Sequence, residues 1–389
     1  MAVLLATGGV AGAQVSAPLR PDTGRLAAAP LAMQERLRED PVVYFRFLNA
    51  DWAAAVCEAF RGELHALPSA ILHGDAHLEQ YALTATAHGL DDFDDAAHGP
   101  SVIDLVRFLG SIDLVARRRG WTAERGRLFD RFFDGYSRSL ADPAYQPPEP
   151  AVVARLRARS RRTRSEFLAW GESLMQEATD AQRDDAGRSL LLIEVFVREL
   201  RPEIPAGYFR LKRGGLLRMG VGSVLVPKVL ARIEGPSPAP EDDVLLEGKQ
   251  LSELVGVPCV QVPVSGEAFR VIAAAEQIGR IRHGVLIVAP RREEPGPGVR
   301  DWWVRTWDET YVEVTAAEIA SPDELAELVR DVGDQLGCSN LRQSIPVLET
   351  QMRRTELAAV RRLAPRNRST SRRLVDELLA EREKWRGGS

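Results

Sequence analysis

Apolar residues recur at helical spacing through most of the first half of the chain. Leu105, Phe108, Leu109, Ile112 and Ala116 line one face after Asp104, which reads as the capping residue of that helix. The same period runs through Leu128 to Tyr136 and Leu190 to Leu200, so residues 31–201 are predicted to be mostly helical. Between about Leu216 and Val314 the pattern shortens. Ser223 to Val226, Val229 to Ile233, Val244 to Leu246, Val257 to Val264, Val285 to Val288 and Trp303 to Trp307 read as strands. Pro236 to Pro240 and Pro295 to Gly298 read as loop tips, because proline and glycine do not serve a central strand. Helix then returns. Ser321 with Glu324 forms a capping box, Pro322 takes the first helical position, and Leu325, Leu328, Val329, Val332 and Leu336 share a face. A helical, then β, then helical texture predicts an α+β chain in which a small β lobe is inserted between two parts of a helical lobe.

Composition narrows this picture. The chain has 389 residues, 45% of them hydrophobic, enough for two domains or one two-lobed unit. A formal net charge of -4 argues against a protein that coats nucleic acid. The three cysteines, Cys57, Cys259 and Cys338, have no paired spacing, and the pattern suggests neither a disulfide scaffold nor a zinc site. No apolar stretch is long enough to span a bilayer. Residues 1–30 read as a leader. Ala2 to Val10 is apolar and Ala11-Gly12-Ala13 resembles a cleavage site, but no basic region precedes them, so a clipped signal peptide and a disordered leader are both open. Arg155 to Arg164, with six arginines, and the Arg-rich tail from Arg353 to Arg386 read as solvated helix faces.

Candidate chemistry concentrates in one segment. Five of the six histidines fall between His65 and His98, together with a dense acidic cluster. Ile71-Leu72-His73-Gly74-Asp75-Ala76-His77 is a strand-like run that delivers polar groups at its end, and Gly89-Leu90-Asp91-Asp92-Phe93-Asp94-Asp95 repeats the plan. Phosphoryl transfer needs one carboxylate to orient the attacking hydroxyl and others to hold magnesium against a triphosphate. Asp75 is the candidate base, with His73 beside it in the loop. Asp92, Asp94 and the amide of Gln80 are candidate magnesium ligands. An alternative set, His73, Asp75 and His77 with His88, Asp92 and His98, fits a His/Asp metal site for hydrolysis.

Further along, Gly220-Val221-Gly222-Ser223 is a glycine turn whose backbone amides can approach phosphate. It is followed by Val244-Leu245-Leu246-Glu247-Gly248-Lys249, a β-like run ending in a lysine. A kinase β lobe orders a Gly-rich hairpin and a strand lysine in this way. Gly220, Gly222 and Ser223 are therefore expected to cover the phosphates of ATP and Lys249 to reach them. Glu276, on the helical stretch Phe269 to Ile281, is the expected partner of Lys249, and Glu253 is its rival.

These strings resemble a bacterial kinase-like family of unknown function, marked by Gly-Asp-Ala-His, Asn-Asp-Phe-Asp-Glu and Gly-Pro. The matching residues are His73-Gly74-Asp75-Ala76-His77-Leu78-Glu79, Asp91-Asp92-Phe93-Asp94-Asp95, and Gly99-Pro100 with Asp104 and Arg107. Tyr44-Phe45-Arg46 and Gly220-Val221-Gly222-Ser223 resemble two further segments of it. That family is similar to aminoglycoside and choline kinases with the order of its parts reversed, which implies a circularly permuted, two-lobed kinase-like fold. By the resemblance Asp75 matches the base, Asp92 the magnesium-binding aspartate, and Asp104 a structural aspartate under the catalytic loop. The chain departs from the pattern at Gln80, where the family has Asn, and at Leu225, where it has Gly. It also departs at Gly337-Cys338-Ser339-Asn340, where the family's late histidine is missing.

The expectation is an ATP- and magnesium-dependent phosphotransferase acting on a hydroxyl of a small molecule or protein. Residues 31–201 would be its catalytic lobe, 202–315 its nucleotide lobe and 316–389 C-terminal helices packed on the catalytic lobe. The expected compartment is cytoplasmic, whereas a cleaved leader would make the chain periplasmic or secreted. A weakened, pseudokinase-type nucleotide binder is the alternative, and the metal-dependent hydrolase a second.

Overall fold

A computed structural model describes residues 18–159, 162–217, 228–251, 256–261, 267–289, 302–339, 341–342 and 345–387. The expected turn Gly220, Gly222 and Ser223, with Leu225, lies outside these residues, as do Glu253, Asn340 and the apolar leader.

The chain opens with helices α1 (Thr23–Ala28), α2 (Leu31–Glu39), α3 (Pro41–Phe47) and α4 (Asn49–Ala59). Four short strands follow: β1 (Ser69–Leu72), β2 (Tyr81–Leu83), β3 (His88–Leu90) and β4 (Ala97–Pro100). They lie inside the stretch read as helical, because runs of three or four residues carry too little periodicity to register. β1 pairs with β4, while β2 and β3 join the later β11 (Val312–Glu313) in a three-stranded sheet. Helices α5 (Val102–Arg118), α6 (Arg125–Ala141) and α7 (Ala151–Arg159) carry the largest apolar cluster, with Phe108, Phe129, Phe132 and Tyr136 fully buried.

Next come α8 (Arg164–Ser173), β5 (Met175–Glu177), α9 (Asp180–Leu200), β6 (Leu211–Leu217), β7 (Lys228–Ile233), β8 (Val244–Gln250), α10 (Glu267–Gln277), β9 (Leu286–Ala289) and β10 (Trp302–Thr306). The strands form one six-stranded antiparallel sheet in the order β5-β6-β7-β8-β10-β9. Strand alternation divides its faces. Ala231, Ile233, Leu246 and Val304 meet Leu190, Ile193 and Val197 of α9. Leu217, Leu230 and Leu245 meet Phe167 and Leu168 of α8 on the other face. Thus α8 and α9, within residues 31–201, pack on the sheet instead of the helical lobe. Val257 to Val264 differs too: of its described residues, Gln261 makes only an isolated bridge to His98.

The chain closes with α11 (Pro322–Ser339) and α12 (Pro346–Gly387). Leu325, Leu328, Val329, Val332 and Leu336 are all buried, as their spacing predicts. The backbones of α6 and α11 touch: a Cβ on Gly333 would come within 2.2 Å of the Phe132 carbonyl. The arginines of α12 correct the expectation of a solvated tail. Arg353 is buried and donates to the carbonyls of Ser139 and Cys338, at the ends of α6 and α11. Arg366 reaches Ala59 at the end of α4, and Arg382 the carbonyls of Leu37 and Glu39 at the end of α2. Each satisfies acceptors that a helix C-terminus leaves open, where the helix dipole favours a cation.

Cysteine spacing also misled. Cys57 on α4 is disulfide-bonded to Cys259, 202 residues away, which ties the helical lobe to the segment between β8 and α10. Such bridges persist in oxidising compartments and are reduced in the cytoplasm. A disulfide is typically worth about 2–4 kcal/mol, and a loop this long favours the upper end of that range. Cys259→Ser is therefore expected to melt well below the oxidised parent and to ignore dithiothreitol, which lowers the parent's melting temperature. Equal melting of oxidised parent and variant would show that the bridge carries no stability.

Candidate active site

The register of β1 on β4, with Leu72 opposite Ala97, brings the loop after β1 beside the Asp91–Asp95 loop before β4. Asp104, fully buried in α5, joins them. Its two carboxylate oxygens accept from the backbone N–H of His73 at 2.8 Å and of Gly74 at 2.9 Å. Ser101 precedes α5 and Asp104 lies within its first turn, so Asp104 holds the neighbouring loop in place of capping its own helix. Gly74 takes φ +83°, and a Cβ there would lie 1.8 Å from the Asp95 carbonyl oxygen, so only glycine fits. Asn49 Nδ2 donates to both the Gly74 carbonyl and the Asp95 carboxylate. His73 is part of this frame. Its Nε2 sits 3.0 Å from the Asp91 carbonyl oxygen and its ring packs 4.9 Å from Phe93.

Asp75 emerges from this frame against Arg107, whose Nε and Nη2 both reach Oδ1, at 2.9 and 2.8 Å. Arg107 also donates to the Phe45 carbonyl, and its guanidinium lies 3.6 Å over the Phe45 ring. His77 Nε2 stands 3.3 Å from the second oxygen of Asp75. Burial alone would raise the Asp75 pKa, but Arg107, and after it His77, hold the carboxyl well below the ordinary carboxylate range. Burial likewise pushes His77 down. Asp75 is thus an anion at any working pH, suited to accepting a hydrogen bond. Arg46, the next residue on α3, reaches Glu79 at 3.2 Å on the rim of the same loop.

The second loop meets the six-stranded sheet. Lys249, at the end of β8, lies 2.8 Å from Asp92 Oδ1 and also contacts Asp94 Oδ2. Asp92 adopts φ +64°, a left-handed conformation that Asp tolerates better than most residues and that turns its carboxylate out of the run. Burial opposes the charge on Asp92, yet Lys249, with Lys228 and Arg305 behind it, holds its pKa well below the usual range. Asp91 is anchored by Arg305 at 2.8 Å, and Arg305 pairs at 3.0 Å with Glu247, its cross-strand neighbour. His283 Nε2 lies 3.5 Å from the other Asp91 oxygen. From α10, Arg270 donates to the carbonyls of Asp94 and Ala96.

Of the residues singled out in the sequence, His73, Asp75, Asp92, Asp94 and Lys249 therefore gather around the two loops. Gln80 joins them through its backbone, its carbonyl accepting from the Asp91 N–H at 2.9 Å. Glu276 does not join them: it is exposed and pairs with Arg282 at 2.6 Å, while Lys249 takes aspartates as partners. Sequence reasoning missed Arg107 as the clamp on Asp75, and Arg305, His283, Arg270 and Lys228 altogether. Arg107 lay in a quoted string, three residues after Asp104. The others carried no local signal.

The described residues hold no group of three or more His, Cys, Asp or Glu side chains arranged for a metal ion. Magnesium needs no such cage, since it binds through one or two carboxylates together with substrate phosphates. Asp92 and Asp94 fit that lesser requirement: both converge on the Lys249 ammonium, and Asp94 Oδ1 is buried without a hydrogen-bond partner. The histidines are spread over separate partners. His88 Nδ1 sits 2.8 Å from the Tyr81 hydroxyl and 3.2 Å from Asp331, and His98 pairs through its backbone with Gln261.

None of the described helices is long and apolar enough to cross a membrane. Neither the curated proteins nor the solved structures compared with the chain include a match. Residues 27–199, from the end of α1 through nearly all of α9 and including both candidate loops, match the family described as an uncharacterized protein conserved in bacteria (DUF2252), and it is this family that the chain resembles.

Proposed function

We propose that the chain is an ATP- and magnesium-dependent phosphotransferase of permuted, two-lobed kinase-like architecture, acting on a hydroxyl acceptor. The observation that carries this reading is the Lys249–Asp92 pair, formed across 157 residues of sequence. Lys249 lies on the strand that follows the β6–β7 pair, as a kinase phosphate-binding lysine lies on the third strand of its lobe. Asp92 belongs to the Asp-Phe-Asp loop and is packed against the loop that bears Asp75. A lysine for the phosphates, an aspartate for the metal and an aspartate for the acceptor thus converge from two lobes.

Each residue then has a role. Lys249 contacts the nucleotide phosphates. Asp92 and Asp94 would hold magnesium, which supplies charge neutralisation at the phosphates. Asp75 orients the acceptor hydroxyl by accepting its hydrogen bond. Its depressed pKa suits a loose transition state, in which the hydroxyl proton leaves late and needs little basicity. Arg107 and Asp104 fix the direction in which Asp75 points. The acceptor is a small-molecule or protein hydroxyl.

One observation favours the non-catalytic alternative. Lys249 is held by the same two carboxylates that a metal would require, so nucleotide entry must exchange these ion pairs. Calorimetry with ATP, with and without magnesium, decides between the readings. Magnesium-dependent binding is the expected result. Binding indifferent to magnesium would support the pseudokinase, and no binding of ATP would overturn both.

A further inference from the structure

Lys228 is the first described residue of β7, and its Cα is the register partner of Lys249 on β8. Directly opposed residues of an antiparallel pair project to the same face with Cβ atoms about 4.5–5.5 Å apart, and like charges there repel. Both side chains are largely buried, with Lys228 12% and Lys249 6% exposed. Lys249 is compensated by Asp92 and Asp94. Among the described residues, Lys228 comes no nearer a carboxylate than 4.0 Å, to Glu247 Oε1, beyond hydrogen-bond reach. Glu247 is already engaged by Arg305 at 3.0 Å and by the Trp307 indole N–H at 2.9 Å. Residues 218–227, immediately before Lys228, contain neither Asp nor Glu. A buried ammonium beside a second one is costly without an anion to share.

We propose that Lys228 and Lys249 form a two-lysine cradle for the polyphosphate of a nucleoside triphosphate, Lys228 binding an oxygen that Lys249 does not take. This rests on the phosphotransferase reading and deepens it: affinity should depend on the length of the phosphate chain, and the base and ribose should contribute independently of Lys228. A bound polyphosphate would offer each lysine a share of its negative charge, whereas Asp92 and Asp94 contact Lys249 directly.

The test compares the parent with Lys228→Met and Lys228→Arg in calorimetric titrations with magnesium–ATP, AMP and adenosine. The expected result is a loss of about tenfold or more in magnesium–ATP affinity for Lys228→Met, the scale of a hydrogen bond between charged groups. Lys228→Arg should recover part of it, and adenosine affinity should not change. If the parent binds magnesium–ATP and Lys228→Met binds it equally well, the cradle is wrong and the phosphotransferase reading stands. If Lys228→Met loses ATP and adenosine in equal measure, the residue supports the fold and the cradle is again wrong. If the parent binds no ATP, the reading falls and the cradle with it.

Discussion

Asp75→Asn is expected to bind magnesium–ATP nearly as well as the parent and to turn it over about a hundredfold more slowly or worse. Asp92→Asn is expected to fail earlier, at magnesium-dependent binding itself. The split follows from what each carboxylate does. Asp75 is held by Arg107 and His77, and on the proposed reading it serves the acceptor hydroxyl in the transition state. Asp92 pairs with Lys249, the residue proposed to contact the phosphates. Asparagine also tolerates the left-handed backbone of position 92, so the second substitution tests charge and not strain. ATP hydrolysis serves as the activity readout, because it needs no knowledge of the acceptor, and calorimetry reads binding. Identical behaviour of the two variants, or a parent whose turnover Asp75→Asn leaves unchanged, would refute the assignment of Asp75.

Arg107→Met is expected to cost about 3–5 kcal/mol at neutral pH, because it strands Asp75 as an uncompensated buried charge. Its pH dependence is the sharper test. In the parent, the folded-state pKa of Asp75 lies below its unfolded value of about 3.9, so the pair contributes stability above that pH and loses it as pH falls through the folded pKa. Without Arg107, burial dominates and lifts the folded pKa above the unfolded one. The variant's penalty is then relieved below the unfolded pKa and grows as pH rises through the folded pKa. Urea unfolding at pH 7 and pH 5 should show the gap between parent and variant narrowing toward acid. A gap that is constant or widens at pH 5 would show that Arg107 acts through its packing on Phe45, not through Asp75.

What the sequence by itself determined was local. The apolar stripe of α11, the strand-like run of Ile71 and Leu72 that delivers His73, and the glycine at position 74 were all legible, because each depends on a period or a backbone requirement a few residues long. The two loops were legible as one candidate site because His73 and Asp75 follow a strand-like run and Asp91, Asp92, Asp94 and Asp95 crowd the second. Their resemblance to a known pattern then supplied Asp104 as the loop's support.

What only the tertiary structure decided was pairing. Asp104 looked like a cap for its own helix until the fold brought the His73 and Gly74 amides to its oxygens. Glu276 was a reasonable partner for Lys249 on helical position alone, but α10 turns it outward to Arg282 and sends Arg270 to the Asp94 loop instead. Cys57 met Cys259, and Arg353, Arg366 and Arg382 found helix ends, across separations that no spacing rule reaches. The reason is common to all of them. Helix and strand signals come from steric and hydrophobic periodicity along the chain, whereas a buried charge is matched by whichever opposite charge or open carbonyl the packing brings within about 3 Å of it. That distance is set by the whole fold, and a partner tens or hundreds of residues away leaves no mark on its neighbours in sequence.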